Sequence, residues 1–144
     1  MNIARFSAFA ALLTAFTGLC IHSAAADSTA KAANLAVVRN FYAAGDDPQR
    51  AASFFASDAV VRMDETKPPI TGSAAILAAL KALTAHGEKL TARITSNFVA
   101  GPVVAVRHVD TLTVPGEQTQ TYKLAAVFIV RDGKIKEWSE YSDQ

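Results

Sequence analysis

The sequence predicts an α+β domain: helices come first and a curved, mainly antiparallel sheet follows. Three observations lead there. Apolar residues between positions 34 and 83 recur mostly at three- and four-residue spacing, but from Leu90 onward they recur at every second residue. Gly101-Pro102, Pro115-Gly116 and Asp132-Gly133 cut that second half into strands of similar length. Helices in a run followed by strands in a run make an α+β fold, whereas strict alternation would make α/β. The chain has 144 residues, enough for one domain of ordinary size.

The elements follow in order. Residues 1–26 read as a secretory signal peptide. Arg5 supplies a positive start, an apolar stretch runs from Phe6 to about Ile21, and Ser23-Ala24-Ala25-Ala26 supplies the small residues for cleavage after Ala26. The stretch is shorter than the roughly 20 apolar residues of a membrane span. The expected location is therefore periplasmic or secreted. Residues 27–33 are expected to be a flexible leader, and 34–144 the folded domain. Asn34 is the expected N-cap of a helix whose Leu35, Val38, Phe41 and Tyr42 share one face. Gly45-Asp46-Asp47-Pro48 breaks it, and Asp47 with Pro48 starts a short helix that turns Ala51, Phe54 and Phe55 inward. Asp58–Met63 reads as a strand and Lys67-Pro68-Pro69 as a loop. Ser73 is the expected cap of a helix with the stripe Ile76, Leu77, Leu80, Leu83, closed by Gly87. Strands are then expected at 90–99, 103–114, 119–130 and 135–141, as a four-strand meander wrapped around a helix to form a half-open cone.

Composition excludes several functions. The residues are 51% hydrophobic and 19% charged, with a net charge of +1. A nucleic-acid partner or an anionic membrane would call for a clustered basic excess, which is missing. Cys20 is the single cysteine and falls within the signal peptide. The mature chain therefore has no disulfide, no cysteine-based zinc site and no thiol nucleophile.

The chemistry concentrates on one strand. In 103–114 the even positions are Val104, Val106, His108, Asp110, Leu112 and Val114, and they are more apolar at both ends than the odd set. Side chains alternate between faces, so the even set is expected to point inward. His108 and Asp110 then sit side by side, roughly 7 Å apart along the strand. Arg107, Thr111 and Thr113 point outward. On the last strand Trp138 and Glu140 share a face, and a neighbouring strand could bring Glu140 to the His108–Asp110 pair. An imidazole between two carboxyls is an acid–base unit: burial and like-charge repulsion push the two carboxyl pKa values apart. Asp64 and Glu65, before the Pro-Pro loop, are candidates for a pocket rim. A metal is not implied, because two of the three candidate ligands lie on one short strand.

Several segments carry a family resemblance: Phe55–Val60, Pro68–Gly72, Arg107-His108-Val109-Asp110, and Phe128–Asp143 with its Asp-Gly turn, Trp138 and Glu140-Tyr141. Together they resemble the limonene-1,2-epoxide hydrolase family within the nuclear transport factor 2-like, or SnoaL-like, superfamily. The resemblance implies the cone-shaped (cystatin-like) fold. It also implies that Asp110 protonates an epoxide oxygen and Glu140 takes a proton from water, with His108 standing where the family has an arginine. Val61 and Met63 fall where the family holds its water with a tyrosine and an asparagine, and with Trp138 they are expected to line the pocket.

The leading expectation is an exported, cofactor-independent enzyme acting on a small apolar molecule by epoxide hydrolysis. One alternative is proton transfer of the ketosteroid-isomerase or polyketide-cyclase kind, which needs no held water. Another is a non-catalytic ligand-binding or dimerisation domain. The superfamily resemblance also implies a homodimer through the outer sheet face.

Overall fold

The structure, a computed structural model, describes residues 18–142. Most of the apolar stretch expected to target the chain for export therefore lies outside the described residues. Helix α1 spans Gly18–Tyr42 and α2 spans Pro48–Ala52. Strand β1 (Phe55–Arg62) and a short β2 (Ile70–Thr71) precede α3 (Ser73–Ala82). The remaining strands are β3 (Lys89–Ala100), β4 (Val103–Thr113), β5 (Gln120–Arg131) and β6 (Lys134–Ser142). No helix among the described residues is long and apolar enough to cross a membrane.

Four local expectations need correction. Helix α1 begins well before Asn34, so residues 27–33 are helical and do not form a leader. The cause is composition: alanine dominates 24–33, and alanine has the highest helix propensity. Asn34 is not a cap. Its side-chain amide reaches across to donate to the Gly101 carbonyl at 2.9 Å, tying α1 to the β3–β4 turn. Ser73 is already the first residue of α3, and Gly72 caps it with φ 89° and ψ 151°, a backbone region essentially reserved for glycine. Phe55 belongs to β1, because α2 closes at Ala52. The Asp47 cap and Pro48 start of α2 stand, with the Asp47 carboxylate accepting from the Arg50 backbone N–H at 2.9 Å.

The sheet has six strands in the order β2-β1-β6-β5-β4-β3 and is curved but not closed. β3 to β6 form the expected antiparallel meander. Its last strand pairs in parallel with β1, and the short β2 adds an edge. Charged links fasten that parallel seam. Lys136 meets Asp58 at 2.7 Å, Lys134 donates to the Ser53 carbonyl at 2.6 Å, and Arg62 lies 3.7 Å from Glu137. Asp132 and Gly133 both have positive φ, the backbone that a tight two-residue hairpin requires.

The core lies between the helices and the inner sheet face. Val38 and Phe41 of α1, Ile76 of α3, Ala59 and Val61 of β1, Val104, Val106, Phe128, Val130 and Trp138 are all buried there. Phe41 is the hub, with ring centroids 5.3 Å from Phe55, 5.2 Å from Trp138 and 6.0 Å from Phe128. Register fixes what joins this face. Val104 pairs with Phe128, Val106 with Ala126, His108 with Leu124 and Asp110 with Tyr122, while Trp138 and Glu140 of β6 pair with Phe128 and Ala126. The even positions of β4 therefore face inward, as the alternation predicts.

Candidate functional site

The open side of the cone holds a cavity of about 810 Å³. Phe41, Val61, Met63, Leu80, Leu112 and Trp138 give it apolar walls, and Asp110 and Glu140 also line it. The cavity is large enough for a molecule of monoterpene size or more.

Among the described residues His108 is the one buried polar side chain, with 1% of its surface exposed. It sits in the third inward position of β4, directly after Val104 and Val106, where the strand pattern calls for a hydrophobe. Its Nδ1 is 2.7 Å from Asp110 Oδ1. Its Nε2 faces Glu140 Oε2 at 3.7 Å, too long for a hydrogen bond. One strand supplies the first contact through its two-residue period. The β4–β5–β6 register supplies the second, by bringing Glu140 to within one inward row of His108. The three catalytic candidates Asp110, His108 and Glu140 are thus together, in the order carboxyl, imidazole, carboxyl.

Electrostatics separates the two acids. Burial, and behind it the negative charge of Asp110, pushes the Glu140 carboxyl from its ordinary 4.5 to about 7, against the pull of His108. Glu140 thus changes protonation near neutral pH, where a general acid or base works best.

Tyr42 joins the group unforeseen. Sequence spacing made it part of the helix stripe, but its ring lies 4.8 Å from that of His108. Burial and the charges of Glu140 and Asp110 push the phenol far above its usual range, so it stays a protonated donor. Among the described residues three buried side-chain polar atoms have no partner: Tyr42 Oη, His108 Nε2 and Trp138 Nε1. Unpaired buried groups are costly and uncommon. Three in one neighbourhood, beside a cavity, mark a site built for something other than stability. A tyrosine at the end of an apolar stripe was the available signal, since its hydroxyl needs a partner wherever the ring is buried.

Val61, Met63 and Trp138 line the cavity as expected. Val61 is almost fully buried and offers no hydrogen bond. Asp64 is at the rim, but its carboxylate is engaged. It accepts from the Thr66 backbone N–H and hydroxyl at 2.9 and 2.6 Å and pairs with Lys67 at 3.0 Å, contacts that hold it at about 2. Glu65 borders a smaller neighbouring cavity instead. Arg107 is exposed on the opposite face of the sheet. Among the described residues no group of three or more His, Cys, Asp or Glu side chains is arranged to hold a metal ion.

Comparison with known proteins agrees with this architecture. Residues 38–138 match the SnoaL-like domain family. No curated protein matches the chain. Among solved structures, a hypothetical protein of ketosteroid isomerase-like fold from Catenulispora acidiphila, in complex with trimethylamine, is similar. It shares 22% identity at TM-score 0.66, over 73% of this chain and 83% of that one. An LEH-like epoxide hydrolase of M. tuberculosis shares 21% identity at TM-score 0.69, over 78% of this chain and 84% of that one. A candidate polyketide cyclase from Xanthomonas campestris shares 22% at TM-score 0.62, over 78% and 92%. At these identities the likeness is one of fold.

The raised Glu140 pKa has a consequence for stability. The folded state holds this proton more tightly than the unfolded chain, so the contribution is fully present below pH 4.5 and is lost as pH rises through about 7. Above that, ionised Glu140 costs on the order of 1–3 kcal/mol. Glu140→Gln is therefore expected to exceed the wild type in stability by that order at pH 8 and to differ little near pH 4, as read by urea denaturation at the two pH values.

Proposed function

The chain belongs to the SnoaL-like domain family, and on that premise we propose that it is a cofactor-independent hydrolase that opens the epoxide ring of a small apolar molecule. One observation carries the reading: a carboxyl–imidazole–carboxyl row, with one carboxyl poised near pH 7, faces an apolar cavity of about 810 Å³. The resemblance to limonene-1,2-epoxide hydrolases assigns the same two carboxyl positions to acid and base.

The row carries one carboxyl proton, held at rest on Glu140 beside an ionised Asp110, and turnover begins once His108 has passed it to Asp110. Water attacks one epoxide carbon and gives a proton to Glu140. The carbon–oxygen bond breaks, and the epoxide oxygen takes the proton of Asp110. The diol leaves behind a protonated Glu140 and an ionised Asp110. His108 then resets the site. Its Nε2, 3.7 Å from Glu140 at rest, accepts the proton of Glu140 once that carboxyl turns into hydrogen-bond range, while its Nδ1 passes a proton to Asp110 across 2.7 Å. The neutral ring regains its first tautomer by proton exchange through Glu140, cavity water and Asp110, the two carboxyls that line the cavity. An arginine could hold the two carboxyls in place but could not relay protons in this way, since its guanidinium stays charged. Tyr42 stays protonated beside the row, where a donor steadies the ionised carboxyls.

Outside the cavity, the outer sheet face is proposed as a homodimer contact. Phe98 is 67% exposed, and register aligns it with Ala105 and Val127 in one cross-strand row, with exposed Tyr141 two rungs away. A contiguous exposed apolar face of this kind marks an association surface.

Two measurements check these readings. Residues 27–144, offered terpene, styrene and fatty-acid epoxides, are expected to form diols, and Asp110→Asn to lower the rate by about a hundredfold or more. Absence of diol across the panel would overturn hydrolysis and favour proton transfer within a substrate. In sedimentation, the wild type is expected to run as a dimer and Phe98→Asp as a monomer. A monomeric wild type would sink the dimer.

A further inference from the structure

Glu140 borders two cavities. The second, about 460 Å³, is lined by Met63, Asp64, Thr66, Leu124 and Ser142 among others, and it shares Met63, Asp64 and Glu140 with the first. The two differ in character. The large cavity has mostly aliphatic and aromatic walls, whereas the small one is edged by hydroxyls and carboxylates.

Two needs of the hydrolysis proposed above remain unmet in the large cavity. The first is a path for water. An apolar substrate that fills the large cavity displaces the water there and shuts that side of Glu140 off from solvent. The second is a group to hold the water, which the family resemblance places on β1. Val61 has no polar atom and Met63 only a thioether, a weak acceptor. The small cavity meets both needs. It shares Glu140 with the large cavity, and it carries Ser142. Ser142 lies two residues after Glu140 on β6, so it points to the same face of the sheet, and its hydroxyl can both donate and accept. Asp64 is less suited, since one of its oxygens serves Thr66 and the other Lys67.

We infer that the small cavity is the water site of this enzyme: it holds the attacking water between Glu140 and Ser142, and Met63 walls the water route off from the large cavity except at Glu140, where the water meets the epoxide. The inference rests on the hydrolase reading. It makes Ser142 a positioning residue and moves the water-holding role from β1 to the end of β6. Water and substrate then reach the same carboxyl by separate routes, so substrate need not leave for water to enter.

Met63 provides a direct probe, because it is the only methionine besides Met1. With the methionine methyl labelled in 13C and the large cavity saturated with a monoterpene alcohol, the methyl is expected to keep its magnetisation transfer from water. Ser142→Phe, which fills the small cavity, is expected to abolish that transfer, to leave affinity for the alcohol within about twofold, and to slow diol formation by about tenfold or more. Ser142→Ala, which removes the hydroxyl but leaves the space, should keep the transfer and lose about three- to tenfold in turnover, mainly in kcat. Loss of the transfer in the wild type on filling the large cavity would overturn the inference, as would wild-type turnover in Ser142→Phe. If wild-type turnover persists in Ser142→Phe, the water route fails and hydrolysis stands. If the transfer persists but no epoxide is opened, the hydrolase reading fails and the water route stands.

Discussion

A buried imidazole, bonded to one carboxyl and facing another, is the constraint around which the domain is arranged. His108 occupies an inward position that its own strand would give to valine or isoleucine, and the domain accepts the cost. Transferring such a group out of water without full hydrogen bonding costs on the order of 1–3 kcal/mol. The bond to Asp110 at 2.7 Å recovers part of that cost, and the facing carboxyl of Glu140 remains too distant to recover the rest. The surrounding fold makes this tolerable. Phe41, Phe55, Phe128 and Trp138 form an aromatic block beside the polar row, and their packing supplies apolar burial that offsets its cost. Unmet hydrogen-bonding capacity next to a cavity is what a site needs in order to act on something that enters it.

The long-range pairing of the chain serves the same end. Glu140 is separated from His108 by more than thirty residues, and only the β4–β5–β6 ladder brings them to adjacent rows. The parallel β1–β6 seam then locks β6 in register from its other edge, with Lys134, Lys136 and Arg62 as fasteners. A slip of one residue on β6 would turn Glu140 outward and Tyr141 inward, abolishing the row. The charges on the 134–137 stretch thus have a positional role. From sequence they look only like a solvated strand face.

How much of this was legible in the sequence depended on whether the signal was local. Two-residue alternation marks His108, Asp110 and Glu140 as misplaced polar groups on inward faces, and turn residues divide the meander almost to the residue. The parallel pairing of β1 with β6 leaves no local trace, because it joins segments nearly eighty residues apart. The Gly72 cap was hidden by the better-known preference for serine at Ser73, whereas the backbone there requires a conformation that serine resists. The reach of α1 through residues 27–33 follows from alanine propensity, which the apolar-stripe criterion ignores. Tyr42 was seen, but as core. Its ring is core, and only the three-dimensional neighbourhood reveals that its hydroxyl is buried without a partner, within the field of both acids. Asp64 lies outside the strands and gives no periodic signal, and Ser142 is in period with Glu140 only as the last residue of β6.

The central claim is that Glu140 and Asp110 form one proton-handling unit through His108. Site-resolved 13C NMR of the glutamate side-chain carboxyls, titrated from pH 4 to 9, tests it most directly. Glu140 is expected to titrate near pH 7, and in Asp110→Asn its midpoint is expected to fall, because the neighbouring negative charge that helps raise it is gone. A Glu140 midpoint near the ordinary 4.5, unchanged by Asp110→Asn, would contradict the account.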